Sequence, residues 1–333
     1  MVLGWLQGRF IMLFLHLVKT RFMKMGVSGI RKIFLLLVMI STSVQAGWSQ
    51  SAQVVFIPGT KCSLVPPRDF VAAANFTGFI NEASQSSIMV TEMPFSVHEI
   101  IAGFKEEDLK AKGLTLLKRD ELQFQGEDAV YVHISQDAYG TTYQKHILAF
   151  GDSSVCILVS GVFPITHIAL SEPIRASILT TRYDPLLVDD PLGSVNFSID
   201  VTGTEFQFTD NVSGSLMYTI DGKVPTERPY FIVGHSVADV NPDDQKQYIV
   251  DRFKQLPESE IFIMNGISPV EAGGYNGFEL TAYSKGHLPP ELLYQVMLFD
   301  EDGGYYIMIG SAKEELGGYL EKFRSLIKTF KEK

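Results

Sequence analysis

The run Tyr230-Phe231-Ile232-Val233-Gly234-His235-Ser236-Val237-Ala238 carries the residue types of a hydrolytic nucleophile, an apolar strand entering Gly-x-Ser-x-small. In a nucleophile elbow that spacing lifts the serine onto a tight strand-to-helix turn, where a histidine can take its proton. His287 and several acids follow in the required chain order. The helix, however, is displaced: Val237 to Asn241 separate Ser236 from Pro242, where the next helical pattern begins. Nor do antiparallel hairpins supply the parallel sheet on which an elbow sits. Ser236 therefore reads first as a strand-end serine in a turn, with a serine hydrolase as the alternative.

Other chemistry-bearing residues are equally incomplete. The seven histidines are scattered without zinc-ligand spacing. Asp300-Glu301-Asp302-Gly303 opens like a calcium loop, but with Gly303 as the loop glycine the bidentate acid is replaced by Ile309, which leaves a solvated hairpin tip. No metal or cofactor is assigned. Cys62 and Cys156 are the two cysteines. A bridge between them would close a loop of 94 residues, worth about 4 to 5 kcal/mol in the chain-entropy picture. Two small buried thiols would fit the same strands equally well. The Asn-x-Ser/Thr triplets at Asn75, Asn196 and Asn211 are short enough to arise by chance. Tyr275, Tyr283, Tyr294, Tyr305 and Tyr306 lie on strand-like runs, where aromatic residues serve cross-strand packing more often than recognition.

The N-terminus points to export. Residues 1–46 hold six basic residues and no acid, and close with the apolar run Ile33 to Ile40 followed by Ser41-Thr42-Ser43-Val44-Gln45-Ala46. That is a positive n-region, a short h-region and a small-residue cleavage site, predicting a signal peptide cut between Ala46 and Gly47. Eight apolar residues fall short of the roughly 20 that span a bilayer. A second short run, Phe10 to Val18, is not needed by one signal peptide, so a start at Met23 or Met25 would leave residues 1–22 outside the protein. The competing reading is a membrane hairpin. Beyond residue 46 the chain carries 22 basic and 38 acidic residues, a net charge of −16. Such a charge disfavours nucleic acid and anionic membranes, which would repel it.

The elements that must position these groups come in two sets. Gly59-Thr60 returns as Gly203-Thr204, 144 residues on, and Tyr143-Gln144 returns as Tyr294-Gln295, 151 residues on. A period this long marks a duplicated globular domain, since solenoids repeat on roughly 20 to 50 residues. In the first set, strand patterns at 54–57, 61–65, 76–82 and 87–92 precede a helix from Val97 to about Lys112, with Ser96 and Glu99 as a capping box. Strands at 129–135, 143–150 and 155–161 and a Ser171-capped helix to Tyr183 complete it. The second set repeats the order, with strands at 206–208, 215–220 and 230–233 and a helix entered through Asn241-Pro242-Asp243-Asp244. Strands at 277–283, 292–299 and 305–310 and a helix from Glu314 to Lys331 end it. Strands in hairpin order with few helices predict an α+β fold, each domain a mostly antiparallel sheet covered by helices as an α/β/α sandwich. The expected domains are 47–187 and 188–333, joined through the acidic, proline-bounded segment Asp184 to Pro191.

Gly59 to Pro67, Ser87 to Glu92, Tyr143 to Asp152 and the final helix resemble exported bacterial relatives of the PsbP-like fold, here in tandem. That fold is shared by an extrinsic photosystem II subunit and a nuclear-import factor that binds the GTPase Ran. The resemblance implies a protein that binds other proteins without catalysis, and it carries over no binding residue. Two readings follow: a periplasmic or secreted binding or assembly module with a protein partner in the cell envelope, or a small-ligand binder at the domain interface.

Overall fold

The computed structural model describes residues 53–138, 140–187, 190–237, 240–286 and 289–333. The predicted leader, including Ala46 and Gly47, and His287 lie outside the described residues. The first half starts with β1 (Val55–Phe56), β2 (Cys62–Leu64), β3 (Val71–Ala72), β4 (Gly78–Asn81) and β5 (Ser86–Met93), followed by helices α1 (Val97–Ala102) and α2 (Glu106–Ala111). It continues with β6 (Leu114–Phe124), β7 (Glu127–Ala138), β8 (Thr141–Gly151), β9 (Cys156–Pro164), α3 (Ser171–Ile178) and β10 (Arg182–Tyr183). In the second half, β11 (Phe197–Ser198), β12 (Gln207–Val212), β13 (Ser215–Thr219) and β14 (Tyr230–His235) lead to α4 (Gln245–Lys254). Then come β15 (Phe262–Ala272), β16 (Tyr275–Ser284), β17 (Leu292–Phe299), β18 (Tyr305–Ala312), α5 (Leu316–Ile327) and β19 (Lys331–Glu332).

Each half builds one seven-stranded antiparallel sheet, and the strand orders are the same: β3-β4-β5-β9-β8-β7-β6 and β12-β13-β14-β18-β17-β16-β15. The two sheets are two copies of one α+β arrangement. Period-two alternation splits each sheet into two apolar faces. On the first, Ile157 and Val159 meet Ile174 and Ile178 of α3, whereas Cys156 and Leu158 meet Val97 and Ile100 of α1 and Leu109 of α2. On the second, Tyr294 and Val296 meet Phe323 and Ile327 of α5, and Leu293 and Met297 meet Ile249 and Phe253 of α4. Both halves are therefore helix-sheet-helix sandwiches. No helix among the described residues is long and apolar enough to cross a membrane.

The register shows which residues correspond. Ser63 pairs with Arg182 in the first half and Ser198 with Lys331 in the second, so β2 matches β11 and Cys62 matches Phe197. Gly161, opposite His146, and Gly310, opposite Tyr294, each lie under the closing helix: an added Cβ would come 2.1 Å from Ile174 Cγ2 and 2.6 Å from Phe323 Cδ2. Glu172 and Arg175 on α3 recur as Glu321 and Arg324 on α5, ion-paired at 3.3 and 2.9 Å. The repeated dipeptides are not the corresponding positions. Gly59-Thr60 precedes β2 while Gly203-Thr204 follows β11, although both threonine hydroxyls donate to the carbonyl three residues back, at 2.9 and 2.7 Å.

Several element boundaries differ from the sequence pattern. The helix expected over 97–112 is two short helices parted at Gly103 to Lys105, and Ser96 caps the first by accepting from His98 N at 3.3 Å. α4 starts at Gln245 with Asp244 as its cap, accepting from Gln247 N, where Asn241-Pro242 had been expected to open it. Ser171 is the first residue of α3 and its hydroxyl bonds elsewhere, so it is no cap. The edge strands β6 and β15 had no clear pattern: one carries Lys118 to Glu121 on its exposed stretch, the other is interrupted by Gly266 and Pro269.

Candidate functional site

The two halves meet where β5 faces the β12–β13 hairpin. The tight turn at Val212 to Ser215 needs Ser213 and Gly214 in the left-handed region, at φ 56° and 87°, and Asn211 Oδ1 closes it by accepting from Gly214 N at 2.9 Å. The turn lies against the first half closely enough that a Cβ on Gly214 would come 3.1 Å from Asn75 O. Thr91 Oγ1 and Ser213 Oγ are 2.5 Å apart across the junction. Asn75 Nδ2 donates to Ser236 O at 2.7 Å and to Val237 O at 3.1 Å. Asn211 Nδ2 in turn donates to Pro191 O and Ser194 Oγ, holding the connecting segment to the same hairpin.

Beside this junction is a groove of about 230 Å³ lined from both halves, by Gly59 to Lys61 and Glu92 on one side and Phe208 to Asn211 on the other, with Pro191 between. Two carboxylates face it. Glu92 accepts a short hydrogen bond from Lys61 N and a long one, 3.6 Å, from Cys62 Sγ. Burial raises its pKa, the nearby Asp210 charge raises it further, and Lys61 offsets part of the effect. Burial also pushes Asp210 up to about 6, against one opposing bond from Asn211 N at 2.8 Å. No ion pair to either carboxylate occurs among the described residues. Half-buried carboxylates without a paired cation cost stability, which makes this groove the candidate site.

Sequence reasoning missed Glu92 and Asp210 because they lie 118 positions apart and meet only through the packing of the halves. Another groove, about 590 Å³, lies between α1 and the β6–β7 hairpin, with His98, Glu121 and Asp128 on its walls. There Glu121 has a cationic partner, Arg119 at 2.7 Å, and Asp128 accepts from the neutral amide of Gln123.

Ser236 is buried in the pairing between the end of β14 and the start of β18. It is 1% exposed, its Oγ accepts from Tyr305 N at 3.0 Å and its own N–H donates to Tyr305 O at 2.8 Å, which stitches it to the start of β18. Among the described residues no helix follows it before Gln245, where an elbow would place one directly after the serine. A serine–histidine contact does exist elsewhere: Ser171 Oγ lies 2.9 Å from His146 Nε2, and Tyr131 OH 2.6 Å from His146 Nδ1. Burial first, then the charges of His133 and Arg175, pull the His146 pKa down to about 4, so this imidazole is a poor acceptor for the serine proton. In the second half the matching positions hold Tyr294 donating to Glu279 at 2.7 Å and Arg324 bonding the same carboxylate at 2.6 Å. These are packing networks beneath corresponding helices.

Cys62 and Cys156 are buried free thiols. The bridge left open by the sequence is not made: Cys62 packs with Ile157 and Val159 on the α3 face of the sheet and Cys156 with Leu158 on the α1 face. Burial raises both pKa values, Cys156 to about 12. Asn75 and Asn211 serve the junction, and Asn196 Nδ2 donates to Tyr306 OH at 3.2 Å. Tyr294, Tyr305 and Tyr306 are fully buried, and Asp300 folds its own turn by accepting from Asp302 N at 3.0 Å.

No family model matches the chain, and no curated protein matches it in sequence. Among solved structures it is similar to the type VI secretion (T6SS) immunity protein TplEi from Pseudomonas aeruginosa, at 11% identity and a TM-score of 0.31, covering 84% of this chain and 97% of that one. It is also similar to the cyanobacterial PsbP protein CyanoP from Synechocystis sp. PCC 6803, at 7% identity and a TM-score of 0.30, covering 41% and 96%. A third is LpqN, described as involved in cell envelope biogenesis of Mycobacterium tuberculosis, at 12% identity and a TM-score of 0.31, covering 40% and 82%.

Proposed function

We propose that this chain is a non-catalytic, exported binding module of the bacterial envelope, whose domains 47–187 and 188–333 together hold a protein partner at the groove between them. The observation that carries the reading is the pair Glu92 and Asp210, one from each half, half-buried without a paired cation in a cleft that both halves line. A folded protein retains such a costly arrangement where something else compensates it. The acid-free basic leader supports export with cleavage after Ala46. TplEi is described as an immunity protein, also in complex with a peptide; that is said of TplEi.

The test is photocrosslinking in cells. p-Benzoylphenylalanine replaces Phe208, an aromatic side chain on the groove wall, and separately Leu117 on the exposed strand β6. The expected result is a discrete crosslinked species from position 208 in the periplasmic fraction and none from position 117. Equal adducts from both positions, or none from 208, would refute the reading.

A further inference from the structure

We propose that the groove between the halves receives a single cationic side chain of the protein partner, a guanidinium or ammonium group seated between Glu92 and Asp210. The inference rests on the binding role above and names the chemistry of the contact.

Three observations carry it. The groove, about 230 Å³, lies below the 300 to 1,000 Å³ usual for small-molecule sites, so it suits one inserted side chain. Its walls combine the apolar faces of Pro191 and Phe208, which can pack along an aliphatic stem, with carboxylates at its charged part. The charge is complementary and divided. Glu92 comes from β5 and Asp210 from β12, so a cation between them would bond both halves at once. Lys61, at the same groove, already offsets part of the Glu92 charge, while Asp210 is influenced by its burial and by the Asn211 N–H. The larger share of the interaction therefore falls on Asp210. The wider excess of acid, −16 beyond residue 46, would steer a basic surface toward the cleft.

The experiment is a nuclear magnetic resonance titration of the 15N-labelled protein spanning residues 47–333 with N-acetyl-arginine amide, N-acetyl-lysine amide and N-acetyl-citrulline amide. The citrulline compound has nearly the shape of the arginine compound without its charge. The expected result is saturable shifts of the Thr60, Lys61, Asp210 and Asn211 amides with one or both cations and none with citrulline. The Asp210→Asn variant, whose amide keeps the acceptor for Asn211 N, should reduce the affinity at least tenfold. The relative affinity of the arginine and lysine compounds identifies the preferred cation. Equal shifts with citrulline, shifts located away from the groove, or no shift at millimolar ligand would overturn the inference. If those shifts fail while position 208 still crosslinks, the cation inference falls and the binding role stands.

Discussion

Glu92 and Asp210 reach one groove from opposite halves of the chain, and burial first, with the charge of Asp210 adding to it, makes Glu92 harder to ionise. Their neighbours pin the geometry, through the Thr91–Ser213 hydroxyl pair and the Asn75 amide. The free protein bears an electrostatic cost that a bound cation would offset.

That cost sets a pH dependence. The Asp210 carboxyl is raised from about 3.8 to about 6 on folding, so between those values the folded state binds more protons than the unfolded one. Stability therefore falls as pH rises through this window. Asp210→Asn should stabilise the protein at pH 7 by up to about 3 kcal/mol, the shift converted at 1.36 kcal/mol per unit, with the gain vanishing below about pH 4. Urea unfolding of both proteins at pH 4 and pH 7 measures it.

Asn75→Ala removes both side-chain bonds from the first half to the carbonyls of Ser236 and Val237. The expected loss is about 0.5 to 1.5 kcal/mol, the net worth of such hydrogen bonds, because Ser236 O keeps its contact with His235 Nδ1 at 2.7 Å. Hydrogen exchange should show faster opening around the Val212 to Ser215 turn while the interior of both sheets stays protected.

Much of the architecture was legible in the sequence. Apolar runs exposed both central strand sets, and the closing helices expected over Ser171 to Tyr183 and Glu314 to Lys331 are present but shorter, Ser171–Ile178 and Leu316–Ile327. The duplication was inferred through Gly-Thr and Tyr-Gln, dipeptides whose positions do not correspond, while Gly161 and Gly310 and the repeated Glu-x-x-Arg gave no warning. Their roles depend on a helix crossing a strand closely, a contact no local pattern contains. β6 and β15 escaped because solvated edge strands lack an apolar alternation strong enough to stand out. The groove was not legible in residues, since Glu92 and Asp210 become neighbours only through the packing of one half on the other.

Gly161→Ala and Gly310→Ala should each destabilise by about 1 to 3 kcal/mol, since an added methyl would overpack the contact with Ile174 or Phe323. Gly317→Ala supplies the contrast. It lies in α5 with nothing within 4 Å of a new Cβ, and alanine there should stabilise by up to about 1 kcal/mol. Thermal unfolding of the three variants separates packing from propensity.

Cys62 and Cys156 should react slowly with a thiol reagent in the folded protein, because burial both shields them and disfavours the thiolate. In denaturant without reductant both should titrate as free thiols. A titre of zero under those conditions would show a bridge and would require the strands carrying them to be rearranged.

The most direct test of the account joins stability to binding at one residue. Crosslinking from p-benzoylphenylalanine at position 208 is measured in the otherwise unchanged protein and in the Asp210→Asn background, alongside urea stability at pH 7. The account predicts that Asp210→Asn yields a more stable protein that loses most of its crosslinked partner, because the same charge that costs the free fold holds the bound cation. A more stable variant that crosslinks as efficiently as its parent would contradict it.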